Sequence, residues 1–287
     1  FEEKEYEIPL YVELANGSSR VWSPGQVLEK RLGLDNVQYT QNATFWRAIG
    51  RTWPIPAGVS LSQVRLNISR LLPTFRCNLM LQVKRPRNMK RHASGYNGLV
   101  PYYRFTVNGS QQNVLANLAT KVGTRAYIGY ASPAFSRLPD LYKHTVNSRL
   151  VAQSSFVEVT QLTGHKHWAY THPGTIGHAC SDPKYVEGSP FNVELERLAR
   201  EDAEKKSSDS SNADEKQMTE ALAELAGTIN DVCFEESQRK NSLSLDALRW
   251  ITRMERSWDQ DTPEAIRHFS AIQAFCYIFE VSWFVVG

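Results

Sequence analysis

The sequence predicts an α/β fold, a sheet flanked by helices, followed by an α-helical C-terminal part. Three observations carry this. Up to about residue 198, runs with strand-like alternation and β-forming residues interleave with runs of helical period. The stretch "REDAEKKSSDSSNADEKQ" (Arg200 to Gln217) is charged, serine-rich and almost free of large apolar residues, which is linker composition. Beyond it the apolar residues recur at helical spacing. The division expected is therefore 1–198, a linker over 199–217, and a helical interaction part over 218–287.

The elements follow in order. "EYEIPLYVEL" alternates and reads as a strand. "SPGQVLEKRLGL" opens on a Ser-Pro pair suited to a helix start and carries Val27, Leu28, Leu32 and Leu34 as an apolar set. "CNLMLQVK" is a buried strand and "YYRFTV" another. "SQQNVLANLATKVG" has a serine cap, apolar Val114, Leu115 and Leu118, and a Gly123 stop. "RAYIGYASP" and "SSFVEVTQL" return as strands rich in β-formers. After the linker, "QMTEALAELAGTINDVC", "LSLDALRWITRMERSW" and "TPEAIRHFSAIQAFCYIFEVSWFVV" read as three helices, the last packed to its end. Its apolar C-terminus exceeds what a small bundle needs to bury, so this part is read as an oligomerisation or partner platform.

Composition narrows the class. With 287 residues the chain builds one large or two ordinary domains; 41% apolar and 22% charged residues are ordinary for a soluble globular protein. Four cysteines without close spacing indicate neither a disulfide framework nor a zinc ribbon, so a reduced, cytoplasmic protein is expected. The acidic opening does not read as a signal peptide, and Glu280 interrupts the apolar tail, so no membrane association is expected. A net charge of +3 points to no partner, but its distribution does. Lys84, Arg85, Arg87, Lys90 and Arg91 place five cations within eight residues. Such a run is either a solvated loop or a phosphate-facing surface.

Two other clusters compete for attention. "GHKHWAYTHPGTIGHACSDP" holds His165, His167, His172, His178, Cys180 and Asp182, but no spacing matches a zinc pattern. Phe45, Trp46 and Trp53 flank cations, a pattern used for base stacking yet more often for core packing. No Walker loop, no GxGxxG and no G-x-S-x-G occurs.

The decisive stretch is "NLMLQVKRP" (Asn78 to Pro86). Alternation puts Gln82 and Lys84 on one face of the strand, with Leu81 and Val83 on the other. Taken with "VLEKRLGLD" before it and "SQQNVLANL" after it, this resembles the PD-(D/E)XK, restriction-endonuclease-like nuclease superfamily, in the QxK variant found among anti-phage defence effectors. The resemblance spans roughly residues 20–135 and implies a restriction-endonuclease-like mixed sheet over the first 198 residues. It implies a metal-dependent nuclease cutting nucleic acid, DNA before RNA, with Mg²⁺ or Mn²⁺ as cofactor. Glu29, Gln82 and Lys84 would be catalytic, with Glu29, Gln82 and Asp35 as metal ligands. Arg85, Arg87, Lys90, Gln111 and Gln112 would contact the nucleic acid. A homo-oligomer, or a complex with other defence proteins, is the expected assembly. The chain departs from the pattern at one place: no acid stands in "LLPTFRCNLMLQVK", and Asn78 occupies the position where one belongs. A catalytically silent nuclease-like module that binds nucleic acid or a partner protein is the alternative.

Overall fold

The structure, a computed structural model, describes residues 1–17, 21–22, 77–90, 101–205, 213–256 and 264–286. It is a mixed α/β protein built on two five-stranded sheets. The first sheet contains β1 (Val21–Trp22), β2 (Cys77–Val83), β5 (Ala126–Pro133), β6 (Ser154–Glu158) and β10 (Ser282–Val286), in the order β1-β10-β2-β5-β6. β2 runs parallel to β5, and the other pairings are antiparallel. The second sheet is wholly antiparallel. It comprises β3 (Arg87–Met89), β4 (Tyr102–Thr106), β7 (His167–Tyr170), β8 (Ile176–Cys180) and β9 (Lys184–Glu187), in that order.

The first sheet lies between two apolar layers, and strand alternation assigns each side chain to one of them. Leu79, Leu81, Val83, Tyr127, Phe156 and Phe284 face α1 (Glu3–Gly17), α3 (Leu138–Val146) and α4 (Phe191–Lys205). Met80, Ile128, Tyr130, Val157 and Trp283 face the opposite layer. That layer is made by α2 (Gly109–Val122), α5 (Ala213–Gln238), α6 (Ser242–Glu255), α7 (Glu264–Ile278) and the inner side of the second sheet. A strand buried on both faces reads as a continuous apolar run, which is why "NLML" carries no alternation of its own.

The periodic segments come out as expected for "CNLMLQVK", "YYRFTV", "RAYIGYASP" and the first half of "SSFVEVTQL", whose second half is a 3₁₀ turn. α2 also matches, ending at Gly123, whose φ of 58° favours glycine. Its cap is Asn108, whose side chain accepts from the Ser110 N–H at 3.0 Å, and not the serine itself. "SPGQVLEKRLGL" lies outside the described residues.

Three expectations are corrected. "EYEIPLYVEL" is a helix, not a strand: Tyr6, Leu10 and Leu14 satisfy both periods, but Tyr11 is buried while Ile8 and Val12 are exposed. The linker reading is too long, because Arg200–Lys205 continue α4 and Ala213–Gln217 open α5. Residues 206–212 lie outside the described residues. The last helix stops at Ile278, and Glu280 adopts a left-handed φ of 49°. The terminal "SWFVV" then forms β10, a strand between β1 and β2. The part beyond the linker is thus built into the same sheet and the same core as the part before it.

Candidate active site

The strand carrying Gln82 is central in its sheet, flanked by β10 on one side and β5 on the other. Val83 is the last residue of β2, and the Lys84 N–H still donates to the Ala131 carbonyl at 2.8 Å. Gln82 and Lys84 therefore leave the sheet on the Met80 side, at the C-terminal end of the strand. Gln82 is buried and Lys84 half-buried. The Lys84 ammonium has no hydrogen-bond or ion-pair partner among the described residues.

Around Gln82 the structure assembles a buried polar layer. Gln111 Nε2 donates to the Phe279 carbonyl at 2.5 Å, and Gln82 Nε2 reaches the same carbonyl at 3.5 Å. Gln82 is in register with Tyr130 of β5, whose hydroxyl donates to Gln112 Oε1 at 2.6 Å. Gln112 Nε2 in turn donates to the Val159 carbonyl at 2.5 Å. Burial pushes the Tyr130 hydroxyl well above its ordinary value, so it stays a neutral donor. One acceptor in this layer is left over: Gln82 Oε1 is buried and has no hydrogen-bond partner among the described residues. An orphaned buried oxygen is costly, and in a native structure it calls for an explanation.

The residues expected to contact nucleic acid separate into two groups. Gln111 and Gln112 are buried, and their amides are committed to interior carbonyls. A contact role with a nucleic acid does not fit that burial. Arg85 is held on α1, its N–H donating to Glu3 Oε1 and its guanidinium to Glu2 Oε1, both at 2.9 Å. Arg87 and Lys90 are exposed. Glu29 and Asp35, the expected anionic ligands, lie outside the described residues. Asn78, where the sequence resemblance leads one to expect an acid, accepts from Trp283 Nε1 at 2.8 Å and so holds β10 against β2.

The histidine cluster does not converge. His167 pairs in register with Cys180, but its Nδ1 meets Thr106 Oγ1 at 3.0 Å. His178 packs edge-on against Tyr185. Among the described residues no three His, Cys, Asp or Glu side chains come together to hold a metal ion.

Sequence reasoning missed Tyr130 and the Phe279 carbonyl as parts of this layer. Tyr130 was accessible as a polar tip on a buried strand, a group that requires a partner. The Phe279 carbonyl left no signal, because a main-chain acceptor is common to every residue. Among the described residues no helix is long and apolar enough to cross a membrane. Compared with known proteins, the chain matches no family model, no curated protein and no solved structure.

Proposed function

We propose that the chain is a metal-dependent nuclease, with DNA as its substrate, whose working end is Gln82-Val83-Lys84. The observation that carries the reading is Gln82 Oε1, without a partner among the described residues, on the same strand face as Lys84 and at the end of a central strand. A neutral hard oxygen fits a magnesium or manganese ligand position. It does not by itself balance a divalent charge, so the reading needs carboxylates, for which the sequence resemblance offers Glu29 and Asp35. Bound there, the ion would polarise a phosphodiester oxygen and acidify a water. Lys84 would stabilise the negative charge that develops on the phosphate during attack. The buried glutamine layer positions this end of the strand, with Gln111 and the Phe279 carbonyl bracing Gln82. By the same resemblance the biological setting proposed is anti-phage defence.

A second reading is favoured by one specific observation. Asn78, where a strand acid belongs, has a structural partner in Trp283. A module that keeps the nuclease-like strand and binds nucleic acid without cutting would look the same here.

The test is cleavage of linear and supercoiled DNA with magnesium or manganese, using the parent, Lys84→Ala and Gln82→Ala. The nuclease reading expects the parent to cut and Lys84→Ala to lose at least about a hundredfold at an unchanged melting temperature. Combining the two substitutions should lose little more than Lys84→Ala alone, because both act on one unit. Equal cutting by Lys84→Ala removes the motif from the chemistry. A parent that binds DNA but never cuts it, with either metal, establishes the silent module.

A further inference from the structure

A cavity of about 1100 Å³ lies on the α1 side of the first sheet, beside its edge strand β6. Its buried lining includes Phe156 of β6 and Phe191 at the start of α4, whose rings stack at 3.9 Å. Ile8 and Val12 of α1, four residues apart and so on one helix face, also line it, as does Ile176 of β8. Phe156 and Phe191 are buried, whereas Ile8, Val12 and Ile176 are 37%, 42% and 51% exposed. Single exposed apolar side chains need no explanation, but three around one apolar cavity do. Gln82 and Lys84 leave the sheet on its other side, so this place is separate from the proposed chemistry.

Several polar groups of the lining are spent on holding its shape. Glu13 accepts from the Leu150 and Val151 N–H groups at 2.7 and 3.0 Å. Thr175 Oγ1 donates to the Gly188 carbonyl at 2.7 Å, and the Gly188 N–H returns to the Thr175 carbonyl at 3.2 Å. Ser154 Oγ donates to the Leu150 carbonyl and meets the Tyr6 hydroxyl. Gly174, at a φ of 112° that favours glycine, bonds to Ser154 and Phe156 through its main chain. These bonds tie α1 to the turn before β6, and the loop before β8 to both β6 and the end of β9, so the space is preformed. Its charge has one sign: Glu13 and Glu187 line the cavity, and no Lys or Arg does among the described residues. Both oxygens of Glu13 are engaged. Glu187 is exposed, in register with Ile176, and only one of its oxygens meets the Tyr185 hydroxyl, at 3.4 Å. The start of α4 borders the cavity too, but Glu194 in its first turn offsets the positive end of the helix.

We propose that this cavity binds a small hydrophobic amine, its apolar body against Ile8, Val12, Phe156 and Ile176 and its ammonium at Glu187. Apolar burial supplies the affinity, because the side chains left uncovered are mostly apolar. Glu187 selects the sign of the charge. A fatty acid or a phosphate ester would bring a further anion to a lining without a cation among the described residues. The site does not rest on the nuclease reading, and the failure of either leaves the other standing.

The experiment titrates the protein calorimetrically with octylamine, octanol and octanoate, which share one chain and differ in charge, at neutral pH and below self-association. The parent is compared with Val12→Asn and Glu187→Gln, two exposed positions whose change leaves the core intact. The amine should bind saturably, about threefold tighter than the alcohol and about tenfold tighter than the carboxylate, the range an exposed ion pair supplies. Its binding should carry a negative heat-capacity change, the mark of apolar burial. Val12→Asn should weaken all three probes by about fivefold. Glu187→Gln should leave the alcohol unchanged and bring the amine down to it. Absence of saturable binding by the parent, or equal binding in Val12→Asn, overturns the site. An amine bound no tighter than the alcohol, a preference for the carboxylate, or an amine preference that survives Glu187→Gln overturns the assigned ligand class.

Discussion

The Gln111 side chain donates to the main-chain carbonyl of Phe279, a residue 168 positions later in the chain, at 2.5 Å. That carbonyl lies just beyond the end of α7, where the helix leaves its last acceptors unfilled. The first turn of α2 is thereby joined to the point at which the chain leaves α7 and enters β10. Gln82 reaches the same carbonyl from the central strand. Three elements distant in sequence share one acceptor in a buried place.

Removing the donor should therefore be costly. Gln111→Ala is expected to destabilise the fold by about 1–3 kcal/mol, since the Phe279 carbonyl would be left buried with only the longer contact to Gln82. Urea unfolding followed by circular dichroism measures this. A midpoint equal to that of the parent would show that the Gln82 contact, or water, satisfies the carbonyl alone.

The same junction makes the C-terminal strand indispensable. β10 supplies Trp283 and Phe284 to opposite sides of the sheet and pairs with β2 from Ser282↔Leu81 to Val286↔Cys77. A chain ending at Glu280 leaves one edge of β2 unpaired and both apolar layers open. It is expected to yield no cooperatively folded protein. Trp283→Ala, a milder change, should cost about 3–5 kcal/mol and also free Asn78 Oδ1 of its donor. A truncated chain that melts cooperatively within a few degrees of the parent would contradict this account.

A pH effect is expected at Glu158. Burial first, and then the charge of Glu194, raises its carboxyl above the ordinary range, with Thr160 and Arg197 opposing. A raised native value means that the folded protein binds more protons than the unfolded chain just above the ordinary carboxylate range. The contribution of this group to stability therefore falls as pH rises through that window. Glu158→Gln should flatten the decline and raise the melting temperature at neutral pH by a few degrees. Melting curves between pH 4 and 8 test it, and a variant that melts lower than the parent at pH 7 would reverse the sign.

Much of the fold was legible because local pattern and burial agree. In α2 the buried Val114, Leu115, Leu118 and Val122 recur at helical spacing, and Gly123 follows them. In β2 and β5 the runs Leu79–Leu81 and Ala126–Ala131 identify strands covered on both faces. Where two periods coincide the pattern fails. Tyr6, Leu10 and Leu14 suit a strand and a helix alike, and only the burial of Tyr11 decides for the helix. At the C-terminus "AFCYIFEVSWFVV" is apolar but for Glu280 and Ser282, and periodicity does not show that Glu280 turns the chain from helix to strand.

By itself the sequence determined the α/β class, the central strand, the pairing of Gln82 with Lys84 on one strand face, and the cation run that follows. Those are consequences of short-range rules, a two-residue period and the order of residues along one segment. Only the tertiary structure decided that Gln111 and Gln112 are interior braces rather than surface contacts, because burial depends on which distant elements come to cover a helix. Only it decided that Arg85 pairs with Glu2 while Arg87 stands opposite Arg104, since strand register is a relation between segments. The charge run is one patch in the sequence; folding divides it between α1 and a second sheet.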